Sequence, residues 1–252
     1  MLILLPPSET KRPGGVGISI DKLAIIWAAL DPARDQLIAA LEQLCRDSEK
    51  AAEALKLGKK SQAEIEKNLS LMTSPTMPAL YRYSGVLYEA LDAESLSPQA
   101  LNLAGERLFI QSALFGLLPA LEQIPDYRFS ASSKLPGINL SEIWTSAHAA
   151  VWPRMLGSIL DMRSAEYRQL NPIPAQRDSY VVEVYAEDGK LLNHFNKKAK
   201  GLFVRAALEN DLTEIAQATE VAKAAGLRAV VEGRALKLFA PPLTTCRSPR
   251  LA

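Results

Sequence analysis

The stretch that decides the fold is Leu2-Ile3-Leu4-Leu5-Pro6-Pro7-Ser8-Glu9-Thr10-Lys11, at the start of the chain. Its first four residues form a short apolar run, which is typical of a strand buried on both faces and predicts a central strand of a sheet. Pro6 and Pro7 end the run, and turn formers and small hydroxyl residues continue through Gly15. The sequence therefore predicts a central strand that opens into a loop at its carboxyl end.

Strands and helices alternate along the rest of the chain. Apolar runs predict two further buried strands, at 108–112 and 158–162. Apolar residues spaced by three and four predict helices at 31–56, 62–71, 97–106, 141–156 and 213–225. Turn signals at Asp188-Gly189 and around Gly233 predict hairpins, formed by 179–185 with 190–195 and by 228–231 with 235–239. This pattern predicts an α/β (mixed α+β) fold: a single domain over residues 1–240, with a mixed sheet surrounded by helices and a loose tail at 241–252.

Composition excludes several classes of protein. A chain of 252 residues with 48% hydrophobic content can bury roughly three quarters of its unfolded surface. Two scattered cysteines, Cys45 and Cys246, do not suit a disulfide framework or a thiolate metal site, and two histidines without a ligand cluster favour no metal. We expect no cofactor. The absence of a signal peptide and of an apolar run of roughly 20 residues predicts a soluble, cytoplasmic protein that does not enter the membrane.

The loop after the first strand carries candidate chemistry. Ser8, Thr10 and Lys11 offer two hydroxyls and an ammonium where open α/β sheets bind ligands, and these groups suit an anion such as phosphate. The alternative interpretation is a solvated turn. The loop is not a P-loop, because the spacing of glycines and lysine in that motif is absent.

A second candidate lies in the carboxyl-terminal half of the chain. Lys197, Lys198, Lys200 and Arg205 form a basic segment with no acid before Glu209, although the net charge of the chain is only +1. At the start of a predicted helix, these cations and the free backbone N–H groups would attract phosphate together. The alternative is a solvated basic face. Gly201 within this helix predicts a close approach to another backbone or to a ligand.

Four segments in order give the chain a resemblance to the bacterial YaaA family. They are Leu2–Lys11, the stretch Tyr83-Ser84-Gly85-Val86-Leu87-Tyr88, the region Leu108–Arg128 with Ser112-Ala113-Leu114-Phe115-Gly116 and Pro125-Asp126-Tyr127-Arg128, and Lys197-Lys198-Ala199-Lys200-Gly201. The resemblance implies a protein of the peroxide and oxidative stress response that binds DNA through a positively charged cleft. That cleft would include the first loop, Tyr127, Arg128 and the Lys197 helix. The resemblance also suggests that residues 112–118 form a helix-hairpin-helix-like element, in which the Gly116 backbone contacts phosphate.

An enzyme acting on a phosphorylated or nucleotide-like small molecule in the same cleft is the main alternative. Ser8, Lys11 and Glu166 would then be the candidate catalytic groups, with Arg128 nearby. A deep enclosed pocket holding Ser8 and Lys11 would favour the enzyme, and an open groove wide enough for a duplex would favour the DNA-binding protein. An iron-handling or partner-binding protein is a third possibility, for which the sequence offers no ligand cluster. The expected partner is DNA or another phosphate-bearing ligand, and a monomer is favoured.

Overall fold

The computed structural model describes residues 1–20, 25–58, 61–190, 192 and 196–241. The predicted tail therefore lies outside the described residues from position 242 onward. Most of the predicted strand at 190–195 also lies outside the described residues. Its turn is described, however, and Ala186 N–H donates to the carbonyl of Lys190 at 2.8 Å. The chain reversal expected at Asp188-Gly189 is confirmed.

The centre of the fold is one seven-stranded mixed sheet. Its strands are β1 (Leu2–Leu5), β3 (Leu108–Ser112), β4 (Gly116–Pro119), β6 (Ile159–Asp161), β7 (Ser179–Ala186), β8 (Arg228–Glu232) and β9 (Ala235–Ala240). They are ordered β4-β3-β1-β6-β7-β9-β8. The five inner strands are parallel, and the two outer strands, β4 and β8, are antiparallel to their neighbours. A small second sheet pairs β2 (Met77–Pro78) with β5 (Gln123–Ile124). The predicted mixed α/β architecture is confirmed.

The first strand lies inside the sheet, as its apolar run predicts. Ile3 pairs with Leu108 of β3 on one side, and Leu2 pairs with Ile159 of β6 on the other. Of these strands, β3 and β6 are buried along their full length and β1 is buried from Ile3 onward, and apart from Gln111, Ser112 and Asp161 their residues are apolar. Strands buried on both faces need such continuous apolar runs.

Ten α-helices connect the strands of the described chain. They are α1 (Asp31–Cys45), α2 (Ser48–Ala54), α3 (Ser61–Leu69), α4 (Ala79–Arg82), α5 (Val86–Leu91), α6 (Pro98–Arg107), α7 (Leu140–His148), α8 (Ala165–Leu170), α9 (Asn196–Glu209) and α10 (Ala218–Ala224). Some of them begin at a residue whose side chain caps the helix. Ser97 Oγ accepts from Ala100 N–H at the start of α6, and Asn139 does the same for Glu142 in α7. None of the described helices is long and apolar enough to cross a membrane.

Three predicted elements need correction. The helix expected over 31–56 is two helices, because the Asp47 side chain caps α2 by accepting from Lys50 N–H. The helix expected over 141–156 ends at His148, and a short 3-10 turn follows at Trp152–Arg154. The segment expected to be helix-hairpin-helix-like is instead the β3–β4 hairpin, in which Ser112 pairs with Gly116.

The tight turn of that hairpin explains Gly116. Its φ of +73° is in the left-handed region that favours glycine, and a Cβ atom there would lie 2.7 Å from the Trp144 ring. The glycine is therefore required by core packing against α7. Its backbone is buried, which places it away from any solvent-exposed phosphate.

Gly201 confirms a different expectation. A Cβ atom at this position would lie 2.2 Å from the carbonyl oxygen of Leu87 and 2.8 Å from the Cβ atom of Ala90. Only a residue without a side chain lets α9 approach α5 so closely. The close approach predicted from the sequence is made to another backbone, and it fixes α9 beside the start of α5.

Candidate functional site

A cleft of about 490 Å³ lies at the carboxyl ends of β1 and β6. The loop after β1 forms one wall, and Ser164 and Glu166, which follow β6, contribute to another. The chain leaves β1 for β3 on one side and later returns to β6 on the other, so the cleft sits where the strand order reverses. Open α/β sheets bind their ligands at such positions.

The lining of the cleft is mixed, with many hydroxyl groups. The lining residues are Pro6, Pro7, Ser8, Glu9, Thr10, Ser84, Gly85, Val86, Leu87, Tyr88, Ser130, Ser132, Ser164, Glu166, Tyr167 and Lys197. Tyr88 holds the first wall in place, because its hydroxyl donates to the carbonyl of Pro6 at 2.8 Å. Burial raises the pKa of Tyr88 and of Tyr167, so both phenols stay neutral near pH 7.

Ser8 lies close to Gly85, the residue just before α5. A Cβ atom on Gly85 would lie 3.2 Å from Ser8 Oγ, and the φ of Gly85 is +106°. A side chain here would be strained and would crowd the serine. Glycine therefore keeps the Ser8 hydroxyl accessible from the cleft.

Three side chains in the cleft are available for a ligand. Ser8 Oγ, the Glu166 carboxylate and the Lys197 ammonium line the cleft. None of them is hydrogen bonded or ion-paired to another side chain within the described ranges. Lys197 is in the first turn of α9, a helix of 14 residues, where the backbone N–H groups add positive potential.

Lys11 belongs to the loop after β1, but it faces a separate, neighbouring cavity of about 260 Å³. Its side chain is largely buried, and its Nζ atom lies 3.3 Å from the carbonyl oxygen of Ser8 and 4.1 Å from the centre of the Tyr127 ring. Burial lowers the pKa of Lys11 to about 7. Thr10 lines both cavities.

Tyr127 is an interior residue. It is 1% exposed, and its hydroxyl group is hydrogen bonded to the hydroxyls of Tyr83 and Ser112, at 2.7 Å each. Burial raises its pKa. Arg128, next in sequence, reaches the smaller cavity, where its guanidinium forms an ion pair with Glu9 at 2.9 Å.

Of the four cations in the basic segment, two are exposed and two donate hydrogen bonds to backbone carbonyls. Lys197 and Lys198 are exposed. Lys200 is buried and donates to the carbonyl of Met162 at 3.0 Å, and burial lowers its pKa to about 8. Arg205 donates to the carbonyls of Leu91, at 3.1 Å, and of Asp92, at 2.9 Å, and so fastens α9 to the end of α5.

The predicted site residues therefore separate into four groups. Ser8, Thr10, Glu166 and Lys197 meet at the cleft, and Lys11 and Arg128 meet at the smaller cavity that shares the wall formed by Glu9 and Thr10. Gly116, Tyr127, Lys200 and Arg205 have structural contacts, and Lys198 is exposed beside the cleft.

Sequence reasoning missed the serines that complete the cleft. Ser130 and Ser132 come from the loop after β5, and Ser84 immediately precedes Gly85. The sequence gives little indication of their place in a site, because an isolated serine in a loop is usually solvated. Ser164 follows the predicted strand at 158–162, and no pattern in the sequence marks it as part of a site.

The sequence of this chain is similar to those of known proteins. Residues 1–230 match the sequence profile of a family described as the peroxide stress protein YaaA. The chain is 38% identical over 243 residues to a UPF0246 protein of Corynebacterium efficiens, covering 93% of this chain and 97% of that protein. It is 40% identical over 238 residues to a UPF0246 protein of Corynebacterium glutamicum, covering 90% and 94% of the two chains. A UPF0246 protein of Streptomyces coelicolor is 38% identical over 215 residues, with 82% and 83% covered. On this evidence, the chain belongs to the YaaA family of peroxide stress proteins.

Proposed function

We propose that the cleft binds a phosphate-bearing ligand about the size of one nucleotide, and that the protein acts in the peroxide stress response through this ligand. The observation that carries the proposal is the meeting of Ser8, Glu166 and Lys197, from three distant parts of the sequence, in one cleft at the reversal of strand order. A volume of about 490 Å³ falls within the range of small-molecule sites.

The chemistry of the lining supports a phosphate. Lys197 supplies a charge-assisted donor, and the hydroxyls of Ser8 and Ser164 supply neutral donors on other walls. Glu166 repels a phosphate and is better suited to accept a hydrogen bond from a sugar hydroxyl or a base amino group. A ligand with an anionic end and a donor-bearing end fits this asymmetry, and a nucleotide has both.

Binding of duplex DNA is the second candidate, favoured by one observation. Lys197 and Lys198 are both exposed at the start of α9, and neither forms an ion pair with a described residue. Such adjacent cations at a helix amino terminus suit the phosphates of a duplex. In this case the ligand would lie across the rim of the cleft rather than inside it.

One set of titrations separates the two candidates. Isothermal titration calorimetry with AMP, with adenosine and with a short DNA duplex would be performed on the wild type, Lys197→Ala and Lys198→Ala. If the cleft binds a nucleotide, AMP binds more tightly than adenosine. Lys197→Ala then weakens AMP binding by about 10- to 100-fold, the value of a charge-assisted hydrogen bond, and Lys198→Ala leaves it unchanged.

If the protein instead binds duplex DNA, Lys197→Ala and Lys198→Ala should have similar effects. Duplex binding would weaken steeply with added salt, and each of the two substitutions would reduce the slope by a similar amount, because each removes about one phosphate contact. Equal affinity for AMP and adenosine, with no response to Lys197→Ala, would refute the nucleotide proposal. Analysis of the AMP mixture by chromatography would show at the same time whether the ligand is turned over.

A further inference from the structure

The cavity beside the cleft has an unusual lysine in its wall. Glu9, Thr10, Lys11, Lys56, Leu57, Gly58, Glu64, Lys67 and Arg128 line this cavity of about 260 Å³. Lys11 is only 8% exposed, yet it forms no ion pair with any described residue. Buried lysines normally have a counter-ion, so the absence of one here calls for a physical explanation.

The neighbouring carboxylates are already occupied by other cations. Glu64 and Asp126 both accept from Lys67, at 3.0 and 3.1 Å, and Glu9 accepts from Arg128 at 2.9 Å. Lys11 is left with long contacts to two backbone carbonyls, those of Ser8 at 3.3 Å and Glu9 at 3.4 Å. A neutral amine can serve both carbonyls with its two N–H groups, so the site does not require the ammonium form.

The surrounding charges act on the pKa of Lys11 in both directions, and burial decides the result. Burial is the main cause that lowers the pKa of Lys11 to about 7, and the cations Arg128 and Lys67 add to it, whereas Asp126 and Glu64 oppose it. The rings of Tyr127 and Tyr83, with centres 4.1 and 5.5 Å from Nζ, favour the ammonium in part. Near pH 7 about half of the molecules therefore carry a nucleophilic amine at this position.

We propose that Lys11 is a carbonyl-reactive amine, which forms an imine with a small anionic aldehyde or 2-oxo acid that enters this cavity. The nitrogen lone pair attacks the carbonyl carbon, and the carbinolamine that results loses one molecule of water to give the C=N bond. The oxygen leaves with the protons released by the nitrogen, so the step consumes no oxidant or reductant. Desolvated lysines are activated for this chemistry in proteins.

The anionic character of the reactant follows from the cavity wall. Lys56 is exposed and forms no ion pair with a described residue, so its ammonium is available to a carboxylate or phosphate on the reactant. Lys67 is paired with two carboxylates and Arg128 with one, so Lys56 is the cation of this wall that a ligand can neutralise. This site is independent of the proposed nucleotide cleft, with which it shares only Glu9 and Thr10.

Reductive trapping tests the proposal directly on the full chain. The protein is incubated with glyoxylate and cyanoborohydride at pH 7, digested, and analysed by peptide mass spectrometry. Lys50 and Lys190, both well exposed, serve as internal references in the same sample. The neutral fraction of Lys11 near pH 7 far exceeds that of Lys50, whose pKa the Asp47 carboxylate raises, and limited access offsets part of that advantage, so we expect Lys11 to be labelled about tenfold faster or more.

The pH profile and two variants sharpen the test. The rate at Lys11 should reach half of its maximum near pH 7, whereas the rate at Lys50, whose pKa the Asp47 carboxylate raises, should still rise above pH 9. Lys11→Arg should abolish labelling at position 11, assigned by fragmentation to distinguish it from the Met1 amine, without changing the references. Lys56→Ala should slow trapping of glyoxylate severalfold but not that of uncharged glycolaldehyde. Labelling of Lys11 no faster than that of Lys50 would overturn the proposal, and equal response to the two aldehydes would overturn the preference for an anion.

Discussion

The hydroxyl groups of Tyr83 and Tyr127 are hydrogen bonded to each other across 2.7 Å in the protein interior. A third hydroxyl, that of Ser112, joins them. Ser112 Oγ accepts from the backbone N–H groups of Leu114 and Phe115, at 3.1 and 3.0 Å, so both of its lone pairs are used. Ser112 therefore donates its O–H to the Tyr127 hydroxyl, which is also hydrogen bonded to Tyr83.

Removing the middle hydroxyl should therefore leave two buried polar groups unpaired. We expect Tyr127→Phe to lower the free energy of unfolding by about 1–3 kcal/mol, measured by urea denaturation, because an unsatisfied buried hydroxyl costs that amount. Tyr180→Phe is the matched control, since the Tyr180 hydroxyl has no hydrogen-bond partner among the described residues and lies only partly buried. Equal stabilities for the two variants would contradict the assigned chain of hydrogen bonds.

His148 is held in its neutral form by two backbone contacts. Its Nε2 atom faces the N–H group of Leu117 at 3.1 Å and must accept, so Nδ1 carries the proton and donates to the carbonyl of Trp144 at 2.8 Å. Burial lowers the pKa of His148 to about 4. An imidazolium could not accept from Leu117, so protonation would break the link between α7 and the β3–β4 hairpin.

Stability should therefore decrease as the pH falls from about 6.5 to about 4. The unfolded chain takes up a proton at His148 near pH 6.5, and the folded protein does so only near pH 4, so acid favours unfolding in this window. The loss from this one group amounts to about 3 kcal/mol at most. Urea titrations at several pH values would measure it. His148→Gln should flatten this part of the profile, and an unchanged slope in that variant would assign the acid sensitivity to other groups.

The contact between α5 and α9 gives a steric prediction. We expect Gly201→Ala to lower the free energy of unfolding by about 1–3 kcal/mol, because its Cβ atom would overlap the Leu87 carbonyl and the two helices would have to separate. Gly58→Ala provides the control, as nothing lies within 4 Å of a Cβ atom there. In thermal melts, a melting temperature for Gly201→Ala equal to that of Gly58→Ala would be inconsistent with the close contact.

A buried ion pair at the end of β6 gives an electrostatic prediction. The Arg163 guanidinium donates to Asp161 through Nε and Nη2, at 2.8 Å each, and both side chains are almost completely buried. Asp161→Asn should cost about 3–5 kcal/mol, because it leaves an uncompensated buried cation. Glu42→Gln, which breaks the exposed pair with Arg46, should change stability little. Chemical denaturation would measure the loss of stability in both variants. Equal losses would mean that solvent reaches Arg163.

The sheet could be predicted in part, because its signals are local. The apolar run at the start of the chain specifies a doubly buried strand, and Asp188-Gly189 specifies a turn. The β3–β4 hairpin was missed because Leu114, Phe115, Leu117 and Leu118 are apolar without alternation, and such a run does not distinguish a buried helix from a buried strand. Its turn depends on Gly116 fitting against Trp144, a contact that the local sequence does not contain.

The site was less predictable, since exposure depends on distant partners. Lys197 and Lys200 belong to the same basic run, yet one lines the cleft and the other donates to the carbonyl of Met162 inside the protein. They are three positions apart and so lie on nearly the same side of the helix, and packing beside Met162 decides that Lys200 is the one buried. Tyr127 likewise carries no mark of burial in the sequence, because its partners Tyr83 and Ser112 come from other elements.

The pairing of β1 has a consequence for how the protein is made. β1 is synthesised well before its partners: one of its edges stays unpaired until Leu108 is available to Ile3, and the other until Ile159 is available to Leu2. Until both partners have been made, the growing chain exposes at least one unpaired edge of an apolar strand. Contacts so distant in sequence slow folding and favour aggregation of the nascent chain. We therefore expect the yield of folded protein during rapid synthesis to depend on how well β1 is shielded until β6 has been made.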